Sequence, residues 1–220
     1  MKPGIDYTMK PRIDYTLYLV TDSELMSTAT VEESVELAIQ GGVTMVQLRE
    51  KTASSRFFYE TALRVRHITK KYKVPLIIND RVDIALAVDA DGVHVGQSDL
   101  PADIVRHIIG SDKVLGVSAS SLAEAIKARD MGADYLGIGA MYPTETKYDA
   151  VIVSIDELQC IRREITLPIV VIGGINEMTI PNFIGTGVDG LAVVSAVLSQ
   201  TDITAAAGEL LHLFKEGSNR

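Results

Sequence analysis

The chain has 220 residues, 47% of them hydrophobic, and a formal net charge of -8. That length buries a full core within one domain, while the acidic balance and the lack of any basic stretch exclude a general nucleic-acid binder. Cys160 is the only cysteine, which excludes an intrachain disulfide, and no apolar run approaches the roughly 20 residues of a membrane span. The polar N-terminal stretch has no signal-peptide core, so a cytoplasmic enzyme with neither membrane nor nucleic-acid partners is expected.

The chain opens on a near-repeat, with Met1 to Thr8 copied closely by Met9 to Thr16. A unit this short cannot stack as a solenoid, so residues 1–14 read as an extension, partly disordered, ahead of a catalytic domain over residues 15–220. Short β-branched or apolar runs then predict strands at Thr16 to Thr21, Val43 to Leu48, Leu76 to Asn79, Gly92 to Val95, Val114 to Val117, Tyr135 to Ile138, Ile169 to Ile172 and Gly190 to Val194. Helical patterns lie between them. Thr30 followed three residues later by Glu33 fits an N-cap, and Gly41-Gly42 closes that helix. Ser54 to Lys71 carries Phe58, Ala62, Val65 and Ile68 at helical spacing, and Ser120 to Met131 repeats the pattern before Gly132. Asp80 to Ala90 leaves room for only two or three turns, the weakest helix of the set. Regular alternation without long insertions predicts a single-domain α/β fold, the (β/α)8 TIM barrel, over an open doubly wound sheet. Cys160 sits in an amphipathic helix and reads as a packing thiol.

Polar clusters follow the strand-like runs, which in a parallel barrel gathers them at one mouth. Gln47, Arg49 and Lys51 alternate with Leu48 and Glu50, so in extended backbone they project to one side. A guanidinium and an ammonium there suit a phosphate, although the segment reads equally as a solvated loop. Asp80 and Asp99 arrive from neighbouring strand ends and could share one hard cation; each also fits a helix cap or turn. His94, inside an apolar run, reads as a hydrogen-bonded core residue. Thr144-Glu145-Thr146-Lys147 brings hydroxyls, backbone N-H groups and an ammonium together, and glycines around Gly173-Gly174 and before Val194-Ser195 end the last two strands, where barrels frequently bind phosphate.

Taken in order, Tyr18 to Asp22, Gln47 to Lys51, Asn79 to Asp83, Gly92 to Pro101, Pro143 to Lys147 and Ile172 to Asn176 resemble the thiamine-phosphate synthase family, over about Tyr15 to Leu198. The resemblance implies a transferase of thiamine biosynthesis. It would condense 4-amino-2-methyl-5-(diphosphooxymethyl)pyrimidine with thiazole phosphate, giving thiamine phosphate and pyrophosphate through a pyrimidine cation. By the same resemblance Gln47, Leu48, Arg49, Glu50, Lys51, Asn79, Ser118 and Lys147 hold the pyrimidine diphosphate. Arg49, Lys51, Ser118 and Lys147 carry the chemistry. Asp80 and Asp99 bind one magnesium ion per subunit, and Thr144, Glu145, Thr146, Gly174, Val194 and Ser195 line the thiazole phosphate site. The expected partners are two small phosphorylated heterocycles, with a homo-oligomer left open.

The chain departs from the family at Gly139-Ala140-Met141-Tyr142-Pro143, where a Gly-Pro pair is usual. A thiazole tautomerase-like isomerase on the same barrel is the nearest alternative, but it uses a histidine where this chain has Ser120. A non-catalytic phosphate-ligand sensor could dispense with Asp80 and Asp99. Lys147→Ala is expected to cost roughly a hundredfold if Lys147 stabilises the leaving pyrophosphate.

Overall fold

The computed structural model describes residues 13–144 and 151–218. The repeated octapeptide's first copy and half of its second lie outside that range, as do Glu145, Thr146 and Lys147. Ile13 and Tyr15, just ahead of the first strand, already pack against residues inside the barrel.

Strands β1 (Leu17–Val20), β2 (Met45–Leu48), β3 (Leu76–Asn79), β4 (Gly92–Val95), β5 (Val114–Ala119), β6 (Tyr135–Ile138), β7 (Ile169–Ile172) and β8 (Gly190–Val193) pair in parallel. They close in sequence order into a barrel, β8 bonding to β1. The expected (β/α)8 architecture is present. Four of the strands, β3, β4, β6 and β7, have the bounds expected from sequence, because each is a short apolar run stopped by a change to turn-forming or polar residues.

Helices α1 (Val31–Gln40), α2 (Ser55–Tyr72), α3 (Val82–Ala87), α4 (Ala102–Ile109), α5 (Leu122–Asp130) and α6 (Ile155–Glu164) cover the sheet, followed after β8 by α7 (Ser195–Leu198) and α8 (Ile203–Ser218). Thr30 caps α1 by accepting the Glu33 N-H (3.2 Å), and Ser54 caps α2 by accepting that of Phe57 (3.2 Å). The cap of α5 is Ser121, one residue beyond the expected Ser120. Glu124 explains the shift: its carboxylate accepts both the N-H and the hydroxyl of Ser120, while its own N-H donates to Ser121. α3 is only six residues long, shorter than the two or three turns allowed for it. Between β7 and β8 a single 3-10 turn, Ile180–Phe183, stands in for a helix. Pro181 and the left-handed Gly185 and Gly187 keep that segment from continuing helically.

Two apolar layers result. The larger lies between sheet and helices, and the smaller fills the barrel with Tyr18, Val20, Met45, Ile77, Val114, Tyr135, Val170 and Ala192. Each fully buried aliphatic side chain contributes about 1.5–3 kcal/mol.

The N-terminal end of the barrel carries a repeated clamp. An N-H in the first two residues of each odd strand donates to the side chain standing just ahead of the next even strand: Leu17 to Thr44 (3.0 Å), Leu76 to Asp91, Leu115 to Asp134 and Ile169 to Asp189 (each 2.8 Å). Each of the three carboxylates also pairs with an arginine from the preceding even helix, Arg66 at 2.6 Å, Arg106 at 2.5 Å and Arg162 at 3.1 Å. Among the described residues no helix is long and apolar enough to cross a membrane.

Candidate active site

The opposite end, at the C-termini of the strands, opens into a cavity of about 650 Å³. β2 and its extension supply Gln47, Arg49 and Lys51; β3 supplies Asn79 and, just past its end, Asp80; the turn after β4 supplies Asp99; β5 supplies Ser118; Thr144 and Val194 complete one wall. The alternation read from sequence holds. Leu48 is fully buried in the outer layer, and Glu50 takes a hydrogen bond from Ser23 (3.3 Å); neither side chain lines the cavity. Burial pushes the Glu50 carboxyl above the usual carboxylate range.

The cations at the mouth are held by carboxylates. Arg49 Nη1 donates to Asp22 (2.8 Å), and its backbone N-H donates to Thr21 Oγ1 (2.9 Å), which fixes the departure of the chain from β2. Lys51 Nζ lies 2.6 Å from Asp80 Oδ2. Asp80 occupies left-handed backbone, with φ of 59°, its N-H donating to the His94 carbonyl (2.8 Å). A non-glycine residue there is uncommon and clusters at functional sites. Asp99 accepts the Gly96 N-H (2.8 Å). Burial raises the Asp99 carboxyl, and the adjoining Asp80 carboxyl adds to that rise.

Two carboxylates that meet this closely repel when both are ionised, and a divalent cation between them would relieve the repulsion. Among the described residues no cluster of three or more acidic, histidine or cysteine side chains forms a closed cage. The pair therefore fits an ion such as magnesium, which takes one or two carboxylates and completes its shell with water and phosphate oxygens.

A second cavity of about 460 Å³ adjoins the first and shares Thr144, Ile172, Gly173, Ala192 and Val194 with it. Gly174 and Ser195 line it, at the end of β7 and the start of α7. Gly174 has φ of 65°, and a Cβ there would come within 2.6 Å of Tyr142 Cβ, so only glycine fits.

Sequence reasoning missed part of the site. His94 is buried, as expected, but its ring is also a wall of the first cavity, with Nε2 2.9 Å from Ser118 Oγ and Nδ1 2.9 Å from the Tyr135 hydroxyl. Burial lowers its pKa to about 4, so the imidazole is neutral at ordinary pH. Tyr18 lines the cavity too, accepting from Gln47 Nε2 at 2.7 Å. The available signal was glycine. A Cβ at Gly116 would fall 2.4 Å from His94 Nδ1 and 2.2 Å from Tyr135 Cζ, and one at Gly137 would fall 3.0 Å from His94 Cε1. Glycine within a strand marks such a close approach.

A closed parallel barrel with cations, paired carboxylates and two adjoining glycine-lined cavities at its C-terminal mouth defines an enzyme of the phosphate-handling TIM-barrel class. The family model described as thiamine monophosphate synthase matches residues 17–197. Thiamine-phosphate synthase of Clostridium beijerinckii is 63% identical over 97% of this chain and 99% of its own length, and that of Ruminiclostridium cellulolyticum is 63% identical over 97% and 98%. The solved thiamine phosphate pyrophosphorylase of Pyrococcus furiosus superposes with a TM-score of 0.86 at 40% identity, covering 93% of this chain and 97% of that one. The chain belongs to the thiamine monophosphate synthase family and is a transferase.

Proposed function

We propose that this chain joins a pyrimidine methyl diphosphate to a thiazole phosphate, releasing pyrophosphate, with magnesium held by Asp80 and Asp99. The observation that carries this reading is the meeting of Arg49, Lys51 and the paired aspartates in one cavity that shares a wall with a second, glycine-lined one. Two phosphorylated substrates can thus lie side by side, the diphosphate near the cations and the monophosphate near Gly174, Val194 and Ser195.

When bound, magnesium supplies positive charge to the departing diphosphate. Arg49 and Lys51 add to that charge where it develops, which is where preorganised groups lower a barrier most. Lys51, now paired with Asp80, is placed to exchange that carboxylate for a phosphate oxygen. Gln47, Asn79 and Ser118 line the deeper part of the cavity and orient the pyrimidine, while apolar Val20, Val170, Ile172 and Ala192 keep water from the exposed methylene carbon. The thiazole nitrogen then attacks that carbon, so no protein nucleophile is required. Thr144 stands on the wall shared by both cavities; Glu145, Thr146 and Lys147 are assigned to this site from the resemblance alone. The test is direct. Purified protein given both precursors and magnesium should release pyrophosphate in proportion to thiamine phosphate formed, and no release would sink the reading.

A further inference from the structure

Five polar side chains from five different strands form one continuous hydrogen-bonded line through the barrel interior. Gln47 Nε2 lies 2.7 Å from the Tyr18 hydroxyl, which lies 2.8 Å from the Tyr135 hydroxyl. Tyr135 lies 2.9 Å from His94 Nδ1, and His94 Nε2 lies 2.9 Å from Ser118 Oγ. Tyr18, Tyr135 and His94 are buried, so a hydroxyl or ring nitrogen left unmatched there would carry its full desolvation cost. Both ends of the line, Gln47 and Ser118, open on the first cavity.

Each interior member has one proton to give. A tyrosine hydroxyl donates once, and a neutral imidazole donates from one nitrogen and accepts at the other. With Gln47 Nε2 donating to Tyr18, the Tyr18 proton must go to Tyr135, the only other partner it has in the line. The Tyr135 proton must then go to His94 Nδ1. His94 in turn carries its proton on Nε2 and donates to Ser118 Oγ. Ser118 keeps its own O-H for the cavity, while Gln47 keeps its carbonyl oxygen. Turning the Gln47 amide over reverses every bond and leaves Ser118 an acceptor. No proton is gained or lost.

We propose that His94 is a positioning residue that, through this relay, couples the hydrogen-bond character of Ser118 to that of Gln47. The two ends always present opposite characters, one acceptor and one donor, to the ring between them. Resting on the proposed function, this makes the site selective for a heterocycle whose edge pairs one donor with one acceptor, as an amino group beside a ring nitrogen does. Rings offering two acceptors or two donors leave one end unmatched. The spaces at Gly116 and Gly137, which admit His94 and Tyr135, are explained by the same device.

The test reads the His94 tautomer and needs no substrate, so its failure is separate from any failure of the proposed activity. Protein labelled with nitrogen-15 in histidine is compared as wild type, Tyr18→Phe and Gln47→Leu. His94 is readily distinguished because His67, His107 and His212 are all exposed. Wild type should show a single neutral tautomer protonated on Nε2. Tyr18 does not touch His94, yet removing its hydroxyl frees Tyr135 to donate or accept, so Tyr18→Phe should give a mixture of tautomers. Gln47→Leu, one step further away, should do the same if Tyr18→Phe folds poorly. A single wild-type tautomer protonated on Nδ1 would be the same relay with the Gln47 amide reversed; a wild type already mixed, or an unchanged single tautomer in the folded variants, would overturn it.

Discussion

The two ends of this barrel use the same residue types to opposite effect. At the N-terminal end Asp91, Asp134 and Asp189 each accept a strand N-H and pair with an arginine. At the C-terminal end Asp80 pairs with a lysine, Lys51, and also adjoins Asp99, whose carboxyl is raised by burial and by that neighbour. Carboxylates that find donors and a cation within the protein lock strands to helices. Carboxylates set against each other, with only the half-exposed Lys51 as a partner cation, can still take up an outside cation. Barrel enzymes commonly divide stability and catalysis between their two ends, and here the division shows in how each aspartate is partnered.

Substitutions at either end can break or sharpen that division. The largest effect is expected from Asp99→Asn, which should lower turnover by roughly a hundred- to a thousandfold, about 3–4 kcal/mol of barrier. The magnesium concentration for half-maximal rate should rise, with little loss of melting temperature. Unchanged magnesium dependence would count against metal ligation.

Between the two ends, His94 links stability to pH. Its folded pKa of about 4 lies below the unfolded value near 6.5, so the unfolded chain binds more protons between those values. Its contribution is complete above about pH 6.5 and falls by about 3 kcal/mol as pH drops to 4. Asp99, raised, acts in the other direction over its own range. Urea unfolding of wild type and His94→Gln at pH 7 and pH 4.5 should show the wild type losing more; equal losses would contradict a buried neutral imidazole.

At the N-terminal end, Asp134→Ala strips Arg106 of its ion pair and the Leu115 N-H of its acceptor. It should cost about 2–3 kcal/mol of stability, less than for a fully buried pair because both side chains are about one-fifth exposed, at 20% and 22%. Turnover at a temperature where the variant is folded should be unchanged. A lost rate would mean that the two ends are not independent. Thr44→Val, removing the one uncharged clamp, should cost about 1 kcal/mol in the same assay.

Much of the architecture was legible because the signals are local. The periodicity of α1 and α2, the caps at Thr30 and Ser54, and the apolar runs of β3, β4, β6 and β7 each depend on residues within a few positions of one another. Part of the site was legible for the same reason, since the alternation of Gln47, Arg49 and Lys51 follows from strand geometry. The cap at Ser121 was off by one residue because two adjacent serines compete for Glu124. The 3-10 turn after β7 was not foreseen, as an alternating pattern predicts a helix in every crossover.

The sequence by itself determined that eight short apolar runs alternate with helices and end in polar clusters, and hence that a closed parallel barrel would carry its chemistry at one mouth. Only the tertiary structure decided which aspartates pair with arginines and which with each other, and that His94 reaches Ser118 on one side and Tyr135 on the other. Those partners are 24 and 41 residues from it along the chain. Periodicity is a property of neighbours in sequence, whereas the partner of a carboxylate or an imidazole is set by barrel closure, which brings distant strands within hydrogen-bonding distance.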